Sequence, residues 1–362
     1  MLFPLQILGV ALGLVMLGAP ALAEVDFRHT TGKPPYPWTD RQPDAAESKF
    51  TFAVFSDLTG GERNGVFELA IAQLNLLRPE IILNVGDLIE GATDSGEVHR
   101  QWDAFDRRAA RARAPLFYVG GNHDLLGDTL RDAWRQRLGP RYYHFVYKNV
   151  LFLVMDSEDH SPERVQQMAR LRSEALEVAR NEGWEAFYQT PYYTMPENAA
   201  GTISDAQSAY MLAAIQANPE VRWTFLFTHK APWRRPDHAA FGAIEAALAE
   251  RPYTLFHGHE HGYRYEQRHG RDYIQLATTG GVFLPDNGGC DEWGTYGFGW
   301  NRLIANGADA GTKDSSISYG PAWAHVSNTP YQWYKLYTHE GGISTPLIAH
   351  CPARIKDRGK LR

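Results

Sequence analysis

Five short polar clusters, each directly downstream of a short apolar run, constrain this chain more than any other feature. Asp57-Leu58-Thr59 follows the run 50–55, and Gly86-Asp87-Leu88-Ile89-Glu90 follows 80–85. Gly121-Asn122-His123-Asp124 follows 115–119, Thr228-His229-Lys230 follows 223–227, and His257-Gly258-His259-Glu260-His261 follows 253–256. Short apolar runs separated by stretches of helical periodicity predict strands alternating with helices in a mixed α/β sheet architecture. Folds of this class collect ligands where strands end. The polar clusters are therefore expected at one sheet edge.

Helices are predicted over 65–77, with apolar spacing at Val66, Leu69, Ala70, Ala72 and Leu76, and over 102–112 and 238–249. Ser161-Pro162 supplies an N-cap and a first-turn proline for a helix carried by Val165, Met168, Ala175, Leu176 and Ala179 and stopped by Gly183. Ser204-Asp205-Ala206-Gln207 reads as a capping box opening a helix to about Ala217. The run 150–155 predicts a buried strand, 264–276 a hairpin turning at His269-Gly270, and 331–348 further strand-like stretches. The predicted organisation is an apolar leader 1–23, an irregular segment 24–49, a body 50–348, and a tail 349–362. The body carries a helical insertion 159–200 and a Gly- and aromatic-rich insertion 282–330.

Residues 1–23 carry no charged side chain and end in Ala21-Leu22-Ala23, the small-x-small form of a secretory cleavage site. The expectation is cleavage after Ala23 and a periplasmic or extracellular protein with no membrane contact once cleaved. An uncleaved N-terminal anchor is the alternative. Cys290 and Cys351 form either a disulfide or two independent thiols. With 36 Lys and Arg against 42 Asp and Glu, the net charge of −6 argues against a stable nucleic-acid partner held through a basic face.

The clusters deliver Asp57, Asp87, Asn122, His229, His259 and His261 to one edge. Carboxylate, amide and imidazole donors without thiolate suit divalent transition metals. Two ions ~3.5–4 Å apart can be held if one carboxylate bridges, and Asp87 is the natural bridge. Taken singly, each cluster also reads as an ordinary turn or N-cap; five in this order do not. His259-Glu260-His261 is not the zinc-protease helix motif, because Tyr263 stands where its second histidine belongs. No Gly-x-Ser-x-Gly elbow supports a serine hydrolase.

The order Asp57-x-Thr59, Gly86-Asp87-x-x-Glu90, Gly121-Asn122-His123-Asp124, His229-Lys230 and Gly258-His259-x-His261 resembles the calcineurin-like metallophosphoesterase superfamily over about residues 50–281. Gly201-Thr202-Ile203-Ser204 with Gln207, and Thr278-Thr279-Gly280-Gly281, resemble its bacterial members. The resemblance implies a four-layer α/β/β/α sandwich with a dinuclear centre of Mn, Fe or Zn. By that analogy Asp57, Asp87 and His261 hold the first ion, and Asp87, Asn122, His229 and His259 the second. His123 then assists the departing oxygen, with Asp124 orienting it.

The implied activity is an exported phosphoesterase acting on mono- or diesters through water activated between the two ions. One position departs from the pattern: Thr59 stands where the first motif normally has histidine. That weakens the first ion and keeps alive the alternative of a non-catalytic or single-metal exported binding protein. Small-molecule phosphate esters are the expected partners. Nucleotide-like ones would stack on the aromatics of 184–193 or 293–300, although packing of the insertions is the reading favoured for those rings. Arg63 is a candidate phosphate contact, with a plain solvated turn as the alternative.

Overall fold

Ten strands build two sheets in the computed structural model, which describes residues 27–41, 50–236 and 238–281. The strands are β1 Phe27–His29, β2 Phe52–Phe55, β3 Ile81–Asn84, β4 Leu116–Phe117, β5 Tyr143–Tyr147, β6 Val150–Val154, β7 Trp223–Phe227, β8 Tyr253–His257, β9 Arg264–Arg268 and β10 Arg271–Gln275. One sheet is three-stranded and parallel, in the order β2-β3-β4; the other is seven-stranded and mixed, in the order β1-β5-β6-β7-β8-β10-β9. Within the larger sheet β6, β7, β8 and β10 run parallel.

The helices are α1 Val66–Leu77, α2 Ser95–Ala109, α3 Asn122–Leu125, α4 Asp128–Leu138, α5 Pro162–Glu182, α6 Trp184–Phe187, α7 Pro191–Thr194, α8 Pro196–Ala199, α9 Asp205–Ala217 and α10 Ala239–Ala247. Between the sheets lies an aromatic core. Phe145 stacks on Phe152 with centroids 4.6 Å apart and on Phe117 at 4.3 Å, beside Ile81, Leu83, Val154 and Phe227. Each such fully buried side chain contributes roughly 1.5–3 kcal/mol of transfer free energy. Phe67, Trp102, Phe105 and Trp134 of α1, α2 and α4 cover the outer face of the small sheet at Ile82 and Leu116. Met211, Ile215, Phe241 and Ile244 of α9 and α10 cover the large sheet at Leu151, Leu153, Leu226 and Leu255. The result is the expected α/β/β/α layering. β3 and β6 are buried on both faces, which is why they read as unbroken apolar runs.

Several elements differ from the sequence reading. Helix α2 starts at Ser95, seven residues before the predicted start. Asp94 caps it by accepting from the Glu97 amide at 2.8 Å, and Val98, Trp102, Phe105 and Ala109 form its buried stripe. The segment 24–49 is not wholly irregular. Three residues of it form β1, antiparallel to β5, with Phe27 packed against Trp38, Phe117 and Phe145. A strand that short has no detectable period. The short α3, α4 and β5 were likewise not predicted.

Ser204 does cap α9, accepting from the Gln207 amide at 3.1 Å, but Gln207 does not complete the box. Its side chain brackets the Asp156 backbone instead, accepting at 2.8 Å and donating at 2.9 Å. The hairpin turns where expected, with His269 and Gly270 both left-handed at φ 51° and 69°, as a two-residue loop requires.

The insertion 159–200 forms α5 to α8. Phe187, Tyr188 and Tyr193 pack on one another, and Tyr192 is buried against Met168, Ala175 and Leu126. No helix among the described residues is long and apolar enough to cross a membrane. The leader 1–23, the insertion 282–330, the stretch 331–348, the tail 349–362 and both cysteines lie outside the described residues.

Candidate metal centre

The predicted donors sit just past the carboxyl ends of parallel strands. Asp57 follows β2, Asp87 follows β3, His229 follows β7, His259 follows β8, and Asn122 opens α3 beyond β4. The turns that present them are tight. Asp87, His259 and His261 have φ of 57°, 75° and 52°, a region that side chains other than glycine visit rarely and mostly where function demands it. Two motif glycines leave room for the carboxylates. A Cβ at Gly121 would lie 2.2 Å from Asp87 Oδ1, and one at Gly258 would lie 2.4 Å from Asp57 Oδ2.

Donor atoms of Asp87, His229 and His259 all lie within 4.8 Å of one another. His229 Nε2 is 3.2 Å from Asp87 Oδ2 and 3.1 Å from Asn122 Oδ1. Each imidazole has its other nitrogen held by a backbone carbonyl, which can only accept. His229 Nδ1–H donates to Val85 O at 2.8 Å, and His259 Nε2–H donates to Asn198 O at 2.6 Å. His229 Nε2 and His259 Nδ1 are therefore the lone pairs left for a cation, the tautomer arrangement typical of metal-ligating histidines. Asp87, Asn122, His229 and His259 fit a divalent transition metal in donor chemistry, proximity and orientation.

The electrostatics agree. Burial by itself would raise the Asp87 carboxyl, but His229, His123 and His259 pull it well below the usual carboxylate range. Burial likewise opposes charge on His229, yet Asp87, by charge and hydrogen bond, lifts that imidazole to about 9. In the metal-free protein a proton thus bridges Asp87 and His229 where a cation would lie. Below pH of about 9 that proton must leave before Nε2 can ligate, so metal uptake should release about one proton and affinity should rise with pH up to that point. Calorimetry at neutral pH in two buffers of different ionisation enthalpy measures this. Uptake with no proton release would remove His229 Nε2 from the ligand set.

Asp57 and His261 stand beside this group rather than in it. The fully buried Asp57 accepts from the His259 amide at 3.1 Å and from Ser56 Oγ, and its Oδ1 is 3.5 Å from His261 Nε2. Its backbone carbonyl accepts from Thr279 N, Gly280 N and Thr278 Oγ1, which gives the Thr-Thr-Gly-Gly stretch a structural task. Thr59 is buried, and its hydroxyl donates at 3.2 Å to the Asp87 carbonyl. It braces the loop that carries Asp87.

His123 donates its backbone N–H to Asp87 Oδ1 at 2.9 Å and its Nδ1–H to the Glu90 carbonyl at 2.8 Å, leaving Nε2 as its reactive nitrogen. The role expected for Asp124 needs correction. Its carboxylate does not orient the His123 ring; it accepts four backbone amides, those of Asp87, Leu88, Ile89 and Gly121, at 2.8, 2.9, 3.2 and 2.9 Å. Burial and then the Asp87 charge push this carboxyl up to about 7, against amide donors that favour its ionised form. A cation on Asp87 would relieve the second of these pushes.

The ring's actual neighbour is Glu90, whose Oε2 is 3.7 Å from His123 Nδ1 and whose carboxylate also gathers the amides of Gly60, Gly61 and Glu62. Arg63 is bound to the Gly280 carbonyl through its amide and its Nε, at 2.8 and 3.3 Å, which ties its loop to the Thr-Thr-Gly-Gly stretch. Sequence reasoning also missed what the insertion contributes. Asn198 O orients His259, and Lys230 Nζ joins Glu158 at 2.9 Å and Glu197 O at 2.9 Å. A backbone carbonyl leaves no mark in sequence, whereas Glu90 was visible as the acid three residues after Asp87.

A family model described as calcineurin-like phosphoesterase matches residues 50–263. The arylsulfatase of Klebsiella aerogenes is 38% identical over 97 residues, which cover 25% of this chain and 20% of that protein. The purple acid phosphatase PPD1 from yellow lupin (Lupinus luteus) seeds aligns with TM-score 0.40 and 12% identity over 67% of this chain and 47% of that one. GAP50 of Plasmodium aligns with TM-score 0.35 and 13% identity over 64% of this chain and 72% of that one. The 5'-nucleotidase of Candida albicans aligns with TM-score 0.37 and 10% identity over 66% and 46%. This chain thus spans a fifth of the arylsulfatase and about half of the phosphatase and the nucleotidase.

Proposed function

We propose that this chain, which belongs to the calcineurin-like phosphoesterase family, is an exported, metal-dependent phosphoester hydrolase acting on small phosphate esters. The observation that carries this reading is the convergence of Asp87 Oδ2, Asn122 Oδ1, His229 Nε2 and the free Nδ1 of His259, with both imidazoles locked by carbonyls. A divalent ion bound there supplies Lewis acidity and lowers the pKa of water. Around it, the chain's own groups divide the work. Asp87 holds His123 through the 2.9 Å amide contact, and Glu90 O fixes the ring so that Nε2 meets the departing oxygen. With Nδ1–H committed to Glu90 O, His123 does this as the imidazolium: a second proton on Nε2, disfavoured by burial and favoured by the Asp87 and Glu90 charges, is hydrogen-bonded or passed to that oxygen.

Removing His123 should lower kcat by ~10²–10⁴-fold with metal content unchanged; loss of metal in His123→Ala would make the residue structural instead. Hydrolysis of nitrophenyl phosphate and bis-nitrophenyl phosphate with added Mn, Zn or Fe tests the reading directly. No turnover of either by a chain that holds metal would reject it.

A specific observation favours a second reading in which one cation suffices. Thr59 turns its hydroxyl to the Asp87 carbonyl, and Asp57 and His261 fall outside the Asp87–His229–His259 group, which Asp57 borders at 3.9 Å from His229 Nδ1. The dinuclear form then depends on Asp57, His261 and the bridging Asp87, and metal analysis of the active protein separates one ion per chain from two. Export is supported by the uncharged leader ending in Ala21-Leu22-Ala23.

A further inference from the structure

We propose that Arg172, on the inserted helix α5, is a specificity-determining residue that makes the centre favour a doubly charged phosphate monoester over a singly charged diester. The proposal rests on the phosphoesterase reading and adds the substrate class. Helix α5 turns Val165, Met168 and Ala175 onto the body of the protein, and all three are buried. Arg172 falls four residues after Met168 and three before Ala175, in the same stripe, where an apolar side chain is the rule. It is half-buried there.

Its Nη2 lies 3.3 Å from His123 Nδ1 and 3.5 Å from the Glu90 carbonyl. Because His123 Nδ1–H donates to that same carbonyl, the guanidinium and the imidazole share one acceptor and hold a fixed relation. Among the described residues no carboxylate is in ion-pair contact with Arg172; the Glu90 carboxylate lies beside the same ring, its Oε2 3.7 Å from His123 Nδ1. Lys230, by contrast, is matched by Glu158 at 2.9 Å.

A charge half-withdrawn from water with no carboxylate in direct contact carries a residual desolvation cost. An anion arriving with the substrate removes that cost. The guanidinium lies on the Nδ1 side of the His123 ring, so the imidazole stands between it and any anion bound at Nε2. At such a range, in a partly desolvated site, one extra unit of ligand charge changes binding by roughly ten- to a hundred-fold. Monoesters carry that extra unit at neutral pH and diesters do not. The insertion thus has a chemical task besides covering the centre.

The test titrates the Mn-loaded full-length chain, by calorimetry at mildly alkaline pH, with phenylphosphonate, a dianion, and with its monomethyl ester, a monoanion. Arg172→Ala should weaken the dianion roughly ten-fold or more and the monoanion less than about two-fold, with metal content and melting temperature at wild-type values. Arg172→Lys should keep most of the dianion affinity, because it keeps the charge. Turnover should follow: in Arg172→Ala the ratio of kcat/KM for nitrophenyl phosphate over bis-nitrophenyl phosphate falls by the same factor.

Equal losses for both phosphonates, no loss for either, or loss of bound metal would overturn the proposal. So would a wild-type chain that binds the dianion no better than the monoanion. If Arg172→Ala does not fold, Arg172→Gln against Arg172→Lys reads the same charge difference at nearly constant size. A wild-type chain that prefers the dianion but hydrolyses neither ester overturns the phosphoesterase reading alone, and the titrations still decide on Arg172.

Discussion

Asp87→Ala is expected to strip the centre of tightly bound metal and to lower kcat/KM by roughly 10³-fold or more, since several kcal/mol of transition-state stabilisation leave with the cation. The size of the effect comes from how many tasks one carboxylate performs. Oδ2 faces His229 Nε2 at 3.2 Å, and Oδ1 accepts the His123 amide at 2.9 Å. The substitution therefore removes a ligand, the counter-charge that holds His229 protonated in the metal-free state, and the tether of His123. Asp87→Asn separates these effects. The amide oxygen can still accept from His123 N but supplies no charge, so metal affinity should fall almost as far, while the metal-free protein loses the Asp87–His229 ion pair yet keeps the His123 tether and melts between wild type and Asp87→Ala. Metal analysis and a melting curve on both variants check this. Wild-type metal content in Asp87→Ala would place the cation elsewhere.

The strand-end clusters were legible because two demands coincide in them. A buried parallel strand needs an unbroken apolar run, and the turn beyond it needs glycine or a short polar residue. Run and turn together announce themselves, as at Ile81–Asn84 followed by Gly86-Asp87. The caps were legible for the same local reason, and Ser161 and Ser204 both cap as read. What stayed hidden depends on partners far away in the chain. Phe27–His29 is a strand only because β5 lies beside it, and Gln207 looks like half of a capping box until Asp156 takes its amide.

In the site, the gathering of Asp87, His229 and His259 could be read, and the hydrogen-bonding roles around them could not. His123-Asp124 suggests a dyad because the two are adjacent in sequence. On a helix, adjacent side chains diverge, and these two are neighbours within α3. Arg172 left a faint trace, a charge inside an apolar stripe.

The divergence of His123 and Asp124 makes Asp124→Ala the sharpest test of the corrected site. Four backbone amides lose their acceptor at once, three of them in the Asp87–Ile89 loop and one at Gly121. Buried donors left unpaired cost ~1–3 kcal/mol each, partly recovered by relaxation, so a loss of roughly 3–5 kcal/mol and a melting temperature lower by roughly 10 °C are expected. Metal affinity should fall with it, because the loop that aims Asp87 is the loop that Asp124 ties down. Asp124→Asn keeps one oxygen but turns an amide NH₂ toward donors, so it should fall between wild type and Asp124→Ala in both melting and metal content. Had Asp124 served the His123 ring, the pattern would invert: kcat would drop in Asp124→Asn while melting and metal content held. Differential scanning calorimetry with metal analysis on the two variants distinguishes these outcomes. The hydrogen-bond geometry predicts the first, since this carboxylate has given its lone pairs to the backbone that positions the ligand.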